Sequence, residues 1–134
     1  MKYEQWKREF IDRPRQTQYN KFKDSVHETI KKEYSIKLNS GQQDKHIIGT
    51  NNYIPGRSTL TADPAELIEL YAGKGEPIQT NKGTWGGRER FIHSDTIGVY
   101  VSPGGLELPT RRGVMHYSKK KGIHIVPGKP KKGD

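Results

Sequence analysis

No cysteine occurs in this 134-residue chain. Disulfide cross-links and thiolate metal sites are excluded, and cysteine usage gives no hint of redox compartment. Apolar residues are scarce as well, at 30%, so the chain can bury only a small core and fits a single domain. No run approaches the roughly 18 apolar residues of a membrane span. The opening MKYEQWKREFIDRPRQ is charged throughout and lacks the apolar centre of a secretory signal; export would need another carrier. Acidic residues are also in deficit: 15 Asp and Glu face 24 Lys and Arg, a net charge of +9.

Several site motifs are missing too. The five histidines, at 27, 46, 93, 116 and 124, include no pair at the i, i+4 spacing of a helical zinc site, and no acidic cluster suits calcium or a two-metal centre. GKGEP and GTWGG are glycine-rich, but neither is a complete phosphate loop leading into a helix. No G-x-S-x-G elbow occurs. Neither a metal nor an organic cofactor is expected.

What the chain does contain is unevenly placed positive charge. Residues 110–134 hold 8 of the Lys and Arg against one acidic residue, whereas residues 45–109 are close to neutral. Such a segment favours a polyanionic partner, nucleic acid first, although Lys129 to Lys132 fits a solvated end equally well.

Hydrophobic period divides the chain. Residues 3–12 read as a short helix stopped by Pro14. Residues 15–35 read as a longer one, with Phe22, Val26, Ile30 and Tyr34 at spacing four and His27 beside that stripe. NSGQQDK reads as a loop, and residues 45–48 as a brief extended piece before the turn formers of GTNNYIPG. TADPAELIELYAGKG is a well-signed helix: Thr61 or Asp63 caps it, Pro64 suits its first turn and Gly73 stops it, with Leu67, Leu70 and Tyr71 facing inward. From Glu76 the period becomes two. RERFIHS, TIGVYVS, GVMHYS and GIHIVP are strands separated by glycine-rich turns. The expected fold is α+β, with N-terminal helices packed on a C-terminal antiparallel sheet of about four strands.

The polar residues that remain are Lys45, His46, Thr50, Tyr53, Arg57, Ser58, Thr110, Arg111, Tyr117, Ser118, Lys119 and His124. Together they suit metal-free RNA cleavage. A base removes the ribose 2′-OH proton, an acid protonates the leaving 5′-oxygen, and cations and hydroxyls bind the phosphorane. Histidine is matched to proton transfer near neutral pH and arginine to phosphate oxygens. DNA lacks the 2′-OH and would not react. Parity puts Ile123 and Ile125 on one face of their strand and His124 on the other. His124 then approaches Tyr117 or Ser118 according to hairpin register, which sequence leaves open. A non-catalytic nucleic-acid-binding module of a phage or mobile-element structural protein is the alternative reading. A nucleotide transferase has less support, since it lacks a cofactor loop.

KHIIGTNNY, GRSTL, TIGVYV and PTRRGVMHYSKKKGIHIVPGKP, in that order over about residues 40–130, resemble the polymorphic toxin type 50 domain of bacteria, which also occurs in some phage head-morphogenesis proteins. The resemblance divides the chain into a helical segment, 1–39, and a toxin domain, 40–134. It implies a ribonuclease toxin folded like barnase, the uridylate-specific endoribonucleases, the tRNA-cleaving colicins and the RelE toxins, with its site on an open sheet face. It implies that His46 is a general base or acid, with His124 as the second proton-transfer group. Arg57 and Ser58 would bind the scissile phosphate, Thr110, Tyr117 and Ser118 would add hydroxyls, and Lys119 would supply charge. Apart from the resemblance, Lys45, Arg111, Ser118, Lys119 and Lys120 are expected to bind RNA or its phosphates. It further implies a domain that is monomeric when free, acts on RNA (tRNA is one candidate) in the cytoplasm of a target cell after contact-dependent or other delivery, and is neutralised by an acidic immunity protein.

Overall fold

The computed structural model describes the backbone from Tyr3 to Asp134 and side chains from Arg15 onward. Helix α1 spans Tyr3–Glu33 without interruption, where the sequence predicts a break at Pro14. A proline inside a helix removes one backbone donor and crowds the preceding turn, and here the helix continues through it. Val26 and Ile30 of the four-spaced stripe are buried, and Phe22 and Tyr34 are half-buried. NSGQQDK is not a plain loop. It holds the one-turn helix α2, Ser40–Gln43, followed by a 3-10 turn over Asp44–His46 where an extended piece is expected.

Helix α3 spans Pro64–Tyr71 and starts as its sequence dictates. The Asp63 carboxylate accepts a hydrogen bond from the Ala65 N–H, and Pro64 occupies the first turn. Leu67 and Ile68 face the core, whereas Leu70 lies outside it, 45% exposed. Glycine at 73 adopts φ +75° just beyond the helix end.

Seven strands form two antiparallel sheets. β2 (Glu76–Gln79), β3 (Trp85–Ile92), β6 (Arg112–Ser118) and β7 (Gly122–Pro127) make the larger one, in the order β2-β3-β6-β7. β1 (Thr59–Leu60), β4 (Gly98–Val101) and β5 (Glu107–Thr110) make the smaller one, in the order β1-β4-β5. Four strands in one antiparallel sheet are as expected, but TIGVYV is not among them. It pairs with β1 and β5 instead, and β2 takes the fourth place. Pro77 is tolerated there because β2 is an edge strand.

One face of the large sheet is covered. Phe91, Met115, Ile123 and Ile125 project from it against Leu67 and Ile68 of α3, Leu60 of the smaller sheet and Ile97, which immediately precedes β4. Met115, Ile97, Ile123 and Ile125 are wholly buried, and each contributes roughly 1.5–3 kcal/mol of hydrophobic stabilisation. The opposite face carries Arg88, Arg90, Val114, His116, Ser118 and His124, none of them buried. The β7 edge is closed by residues 37–39. The Ile123 N–H donates to the Lys37 carbonyl, and the Asn39 N–H donates to the Ile123 carbonyl.

Candidate active site

Hairpin register creates the site. β6 and β7 pair so that His116 stands opposite His124 and Tyr117 opposite Ile123. Alternation sends Met115, Tyr117, Ile123 and Ile125 to the covered face and His116, Ser118 and His124 to the open one. β3 pairs Arg88 with His116, so Arg88 joins the same open row. His46 completes the row beyond the β7 edge. The His116 and His124 rings stack with centroids 4.8 Å apart and planes inclined by 19°, and the His124 and His46 rings lie 6.3 Å apart at 12°. Four nitrogenous side chains therefore cross the sheet in the order Arg88, His116, His124, His46.

His46 is held by an unusual anchor three residues earlier. Gln43 is fully buried. Its Nε2 donates to the Ile125 carbonyl at 2.9 Å, and its Oε1 accepts from the Ile125 N–H at 2.7 Å. The side-chain amide thus replaces the backbone of a neighbouring strand along β7. The chain beyond His46 is fixed by the Thr50 hydroxyl, which lies 2.7 Å from the Asp44 carbonyl and 2.9 Å from the Ile47 carbonyl. His46 itself is 7% exposed, and its Nδ1 lies 2.9 Å from the Ser58 carbonyl oxygen. A carbonyl only accepts, so Nδ1 carries the proton and the neutral ring keeps its lone pair on Nε2. Among the described residues, the one buried side-chain nitrogen or oxygen without a hydrogen-bond partner is Oε2 of Glu89. The unbonded nitrogens of the histidine row are therefore not sealed from solvent.

All three histidines of the row hold protons less tightly than a free imidazole. Burial is the largest cause at each. Arg57 and Lys45 push His46 further down, and Arg88 does the same to His116. His124 lies in the middle, and burial, with the added effect of His116, His46 and Lys45, brings it to about 4. The three imidazoles are thus largely uncharged at neutral pH and set among permanent cations. An anion laid across it would relieve their repulsion and raise the proton affinity of the rings.

The model of one protein family, bacterial toxin 50, matches residues 38–127. The chain belongs to the bacterial toxin 50 family. No curated protein matches the chain. The matched span contains Gln43 and the whole row from Arg88 to His46, so the site is a feature of the toxin domain itself.

Within this toxin domain the sequence-predicted residues separate into three groups. His46 and His124 meet, with Lys45 and Arg57 close enough for their charges to act on the His46 ring. Ser118 is next to His116 along the open face, and its Oγ accepts from the Lys121 N–H in the hairpin turn. Lys119 and Lys120 are exposed in that turn, and the Lys119 ammonium lies over the Tyr34 ring, 5.7 Å from its centroid. Ser58 sits beside His46, but its hydroxyl oxygen accepts from the Val101 N–H at 2.9 Å. Its observed role is to position His46 through its carbonyl.

The third group does not join the row. Thr110 is buried, donates to the Gly128 carbonyl and accepts from the Arg112 N–H, so its hydroxyl is already engaged. Arg111 precedes β6 at the far end from His116 and reaches toward the Ser94 carbonyl at 3.4 Å. Five steps along the chain separate it from His116, roughly 17 Å. Tyr117 is on the covered face. Its hydroxyl donates to Glu89 Oε1 at 2.7 Å and accepts from the Gly73 N–H at 2.9 Å. Burial and the adjacent carboxylate hold its pKa far above that of a free phenol.

Arg88, His116 and Gln43 were not selected by sequence. Parity placed His116 with Ser118, but only the register sets it against His124. Arg88 needs the β3–β6 pairing. Gln43 sits 82 residues from its partner in a stretch whose composition suggests a loop. Among the described residues, no group of His, Cys, Asp or Glu is placed to hold a metal ion, and no helix is long and apolar enough to cross a membrane.

Proposed function

We propose that this toxin domain is a metal-independent endoribonuclease with His46 as its general base. The observation that carries the reading is the hydrogen bond from His46 Nδ1 to the Ser58 carbonyl, which leaves the Nε2 lone pair available beside two further imidazoles on a cation-lined open face. His46 takes the proton of a ribose 2′-OH, and that oxygen attacks the adjacent phosphorus. The P–O5′ bond breaks, and the products are a 2′,3′-cyclic phosphate and a 5′-hydroxyl. Lys45, Arg57 and Arg88 stabilise the phosphorane charge. His124 protonates the leaving oxygen. The bound phosphate raises its proton affinity from about 4 toward neutrality. The two histidines titrate as a coupled pair.

The substrate is RNA, with tRNA a natural candidate, reached in the cytoplasm of a target cell. The producer's protection is an acidic immunity protein seated on the cationic row, where charge complementarity speeds association. The test is tightly controlled expression followed by inspection of total RNA, and digestion of purified RNA with and without EDTA. Cleavage that survives EDTA, leaves cyclic phosphate ends and disappears in His46→Ala supports the assignment. Intact RNA with a folded protein removes it. If RNA binds but is not cut, the domain is a nucleic-acid-binding module instead.

A further inference from the structure

The open face has a second cationic feature, away from the histidine row. Arg112 begins β6 on the same face as His116, four residues away or roughly 13 Å. Around it lies a cavity of about 330 Å³, lined by Arg90, Arg112, Val114, Lys129 and Lys131, with Glu76 as its acidic member. Val114 lies between Arg112 and His116 in the same strand, so this cavity and the row share one continuous surface.

The Arg112 guanidinium is already occupied by an anion. Its Nε donates to Asp134 Oδ2 at 2.6 Å and its Nη2 to Asp134 Oδ1 at 2.9 Å, while the Lys131 N–H donates to the same Oδ2 at 2.8 Å. Three N–H donors converge on one carboxylate. Their effect holds the Asp134 carboxyl down to about 2. The paired donors of an arginine fit a phosphate in the same bidentate manner as a carboxylate. Asp134 is carried by a short exposed turn, so the group can leave without disturbing the core.

We propose that the Arg112 cavity is a phosphate subsite for nucleic acid lying across the histidine row, and that Asp134 occupies its arginine in the free protein as an internal stand-in which the incoming phosphate displaces. The basic segment 110–134 then has a definite arrangement. Lys119–Lys121 lie at the hairpin turn, Arg112 with Lys129 and Lys131 at its open end, and His116 with His124 between them. A single strand laid along the β6–β7 hairpin meets cations on both sides of the histidine row. The proposal rests on the nucleic-acid reading above but not on cleavage.

The experiment uses a single-stranded oligodeoxynucleotide, which lacks the 2′-OH and survives contact with an active enzyme. Its affinity is measured by fluorescence anisotropy for the wild type, Asp134→Asn, Arg112→Gln and the double variant, after circular dichroism confirms that each is folded. Asp134→Asn retains an acceptor for the turn but removes the competing charge, and is expected to tighten binding about 3- to 10-fold. Arg112→Gln is expected to weaken binding about 10-fold and to abolish the effect of Asp134→Asn in the double variant. It should also lower the slope of log affinity against log salt by about 0.7, the value for one phosphate contact on a single strand. Unchanged or weakened binding by folded Asp134→Asn overturns the displacement idea, and unchanged binding by Arg112→Gln overturns the subsite. A wild type that binds no oligonucleotide refutes the nucleic-acid reading itself, and this proposal with it.

Discussion

Replacing Gln43 by Glu tests how the site is held, because it keeps the shape of the side chain and reverses one hydrogen bond. In the native protein the amide satisfies both the N–H and the carbonyl of Ile125 in a position closed to solvent. A carboxylate still accepts from the N–H, but its second oxygen then faces the Ile125 carbonyl oxygen at about the 2.9 Å now spanned by a hydrogen bond. One bond is lost, the carbonyl is left unsatisfied and a charge is buried without compensation. Together these cost about 3–5 kcal/mol at neutral pH, a large share of the 5–15 kcal/mol that holds a typical domain together.

Protonation repairs the geometry, since a carboxylic acid donates its O–H to the carbonyl. The introduced group therefore has a raised pKa in the folded state. Its stabilising contribution is complete below the unfolded value of about 4.3 and is lost as pH rises through the folded one. Urea unfolding of the wild type and Gln43→Glu, followed by far-ultraviolet circular dichroism at pH 7 and at pH 4.5, measures the difference. The deficit of the variant is expected to shrink from about 3–5 kcal/mol to about 1 kcal/mol on acidification. A deficit that stays constant, or grows in acid, would show that the amide does not bridge the two backbone groups of Ile125.

Two further outcomes follow from the same contacts. Tyr117→Phe removes a donor from the buried Glu89 and one of the two acceptors of the Gly73 N–H, which keeps Glu89 Oε1 at 3.1 Å. It should lower stability by about 2–3 kcal/mol while RNA cleavage per folded molecule stays unchanged; lost cleavage with stability intact would return Tyr117 to the chemistry. The depressed proton affinity of the histidine row makes the native state disfavour protonation, so stability is fully present above about pH 6.5 and falls between there and about pH 4. His124 alone is expected to account for about 1–2 kcal/mol of that fall after allowance for solvent screening at a half-buried group; urea titrations of His124→Gln should show a correspondingly flatter pH profile, and an unaltered profile would refute the assignment.

The parts of this fold that were legible in sequence are those written in local chemistry. Asp63, Pro64 and Gly73 mark the ends of α3 by cap, fixed φ and left-handed turn, none of which depends on distant residues. Alternation in GIHIVP put Ile123 and Ile125 inside and His124 outside, because strand parity is local once one face must be buried. What escaped depended on register or on long-range polar bonds. TIGVYV has all the signs of a strand, but nothing within it specifies which sheet it joins. A hydroxyl looks the same in sequence whether it stands on the open face, like that of Ser118, or is buried and donating to a backbone carbonyl, like that of Thr110 with Gly128.

Register also decides what the toxin domain can do. Moving the β6–β7 pairing by one residue would turn His124 against Tyr117 or Met115 in side-chain order and break the line from Arg88 to His46. Two contacts then fix β7 against the segment that carries His46. Gly122 sits at φ +98° with the Lys37 carbonyl so near that an added Cβ would overlap it, which fixes where β7 begins. Gln43 grips Ile125 alone, which fixes how the segment bearing His46 lies along it. The placement of His46 against His124 is thus set by a glycine and an amide that touch neither ring. The geometry of the proposed site depends on the covered face and closed edge of the sheet as much as on the residues assigned to the chemistry.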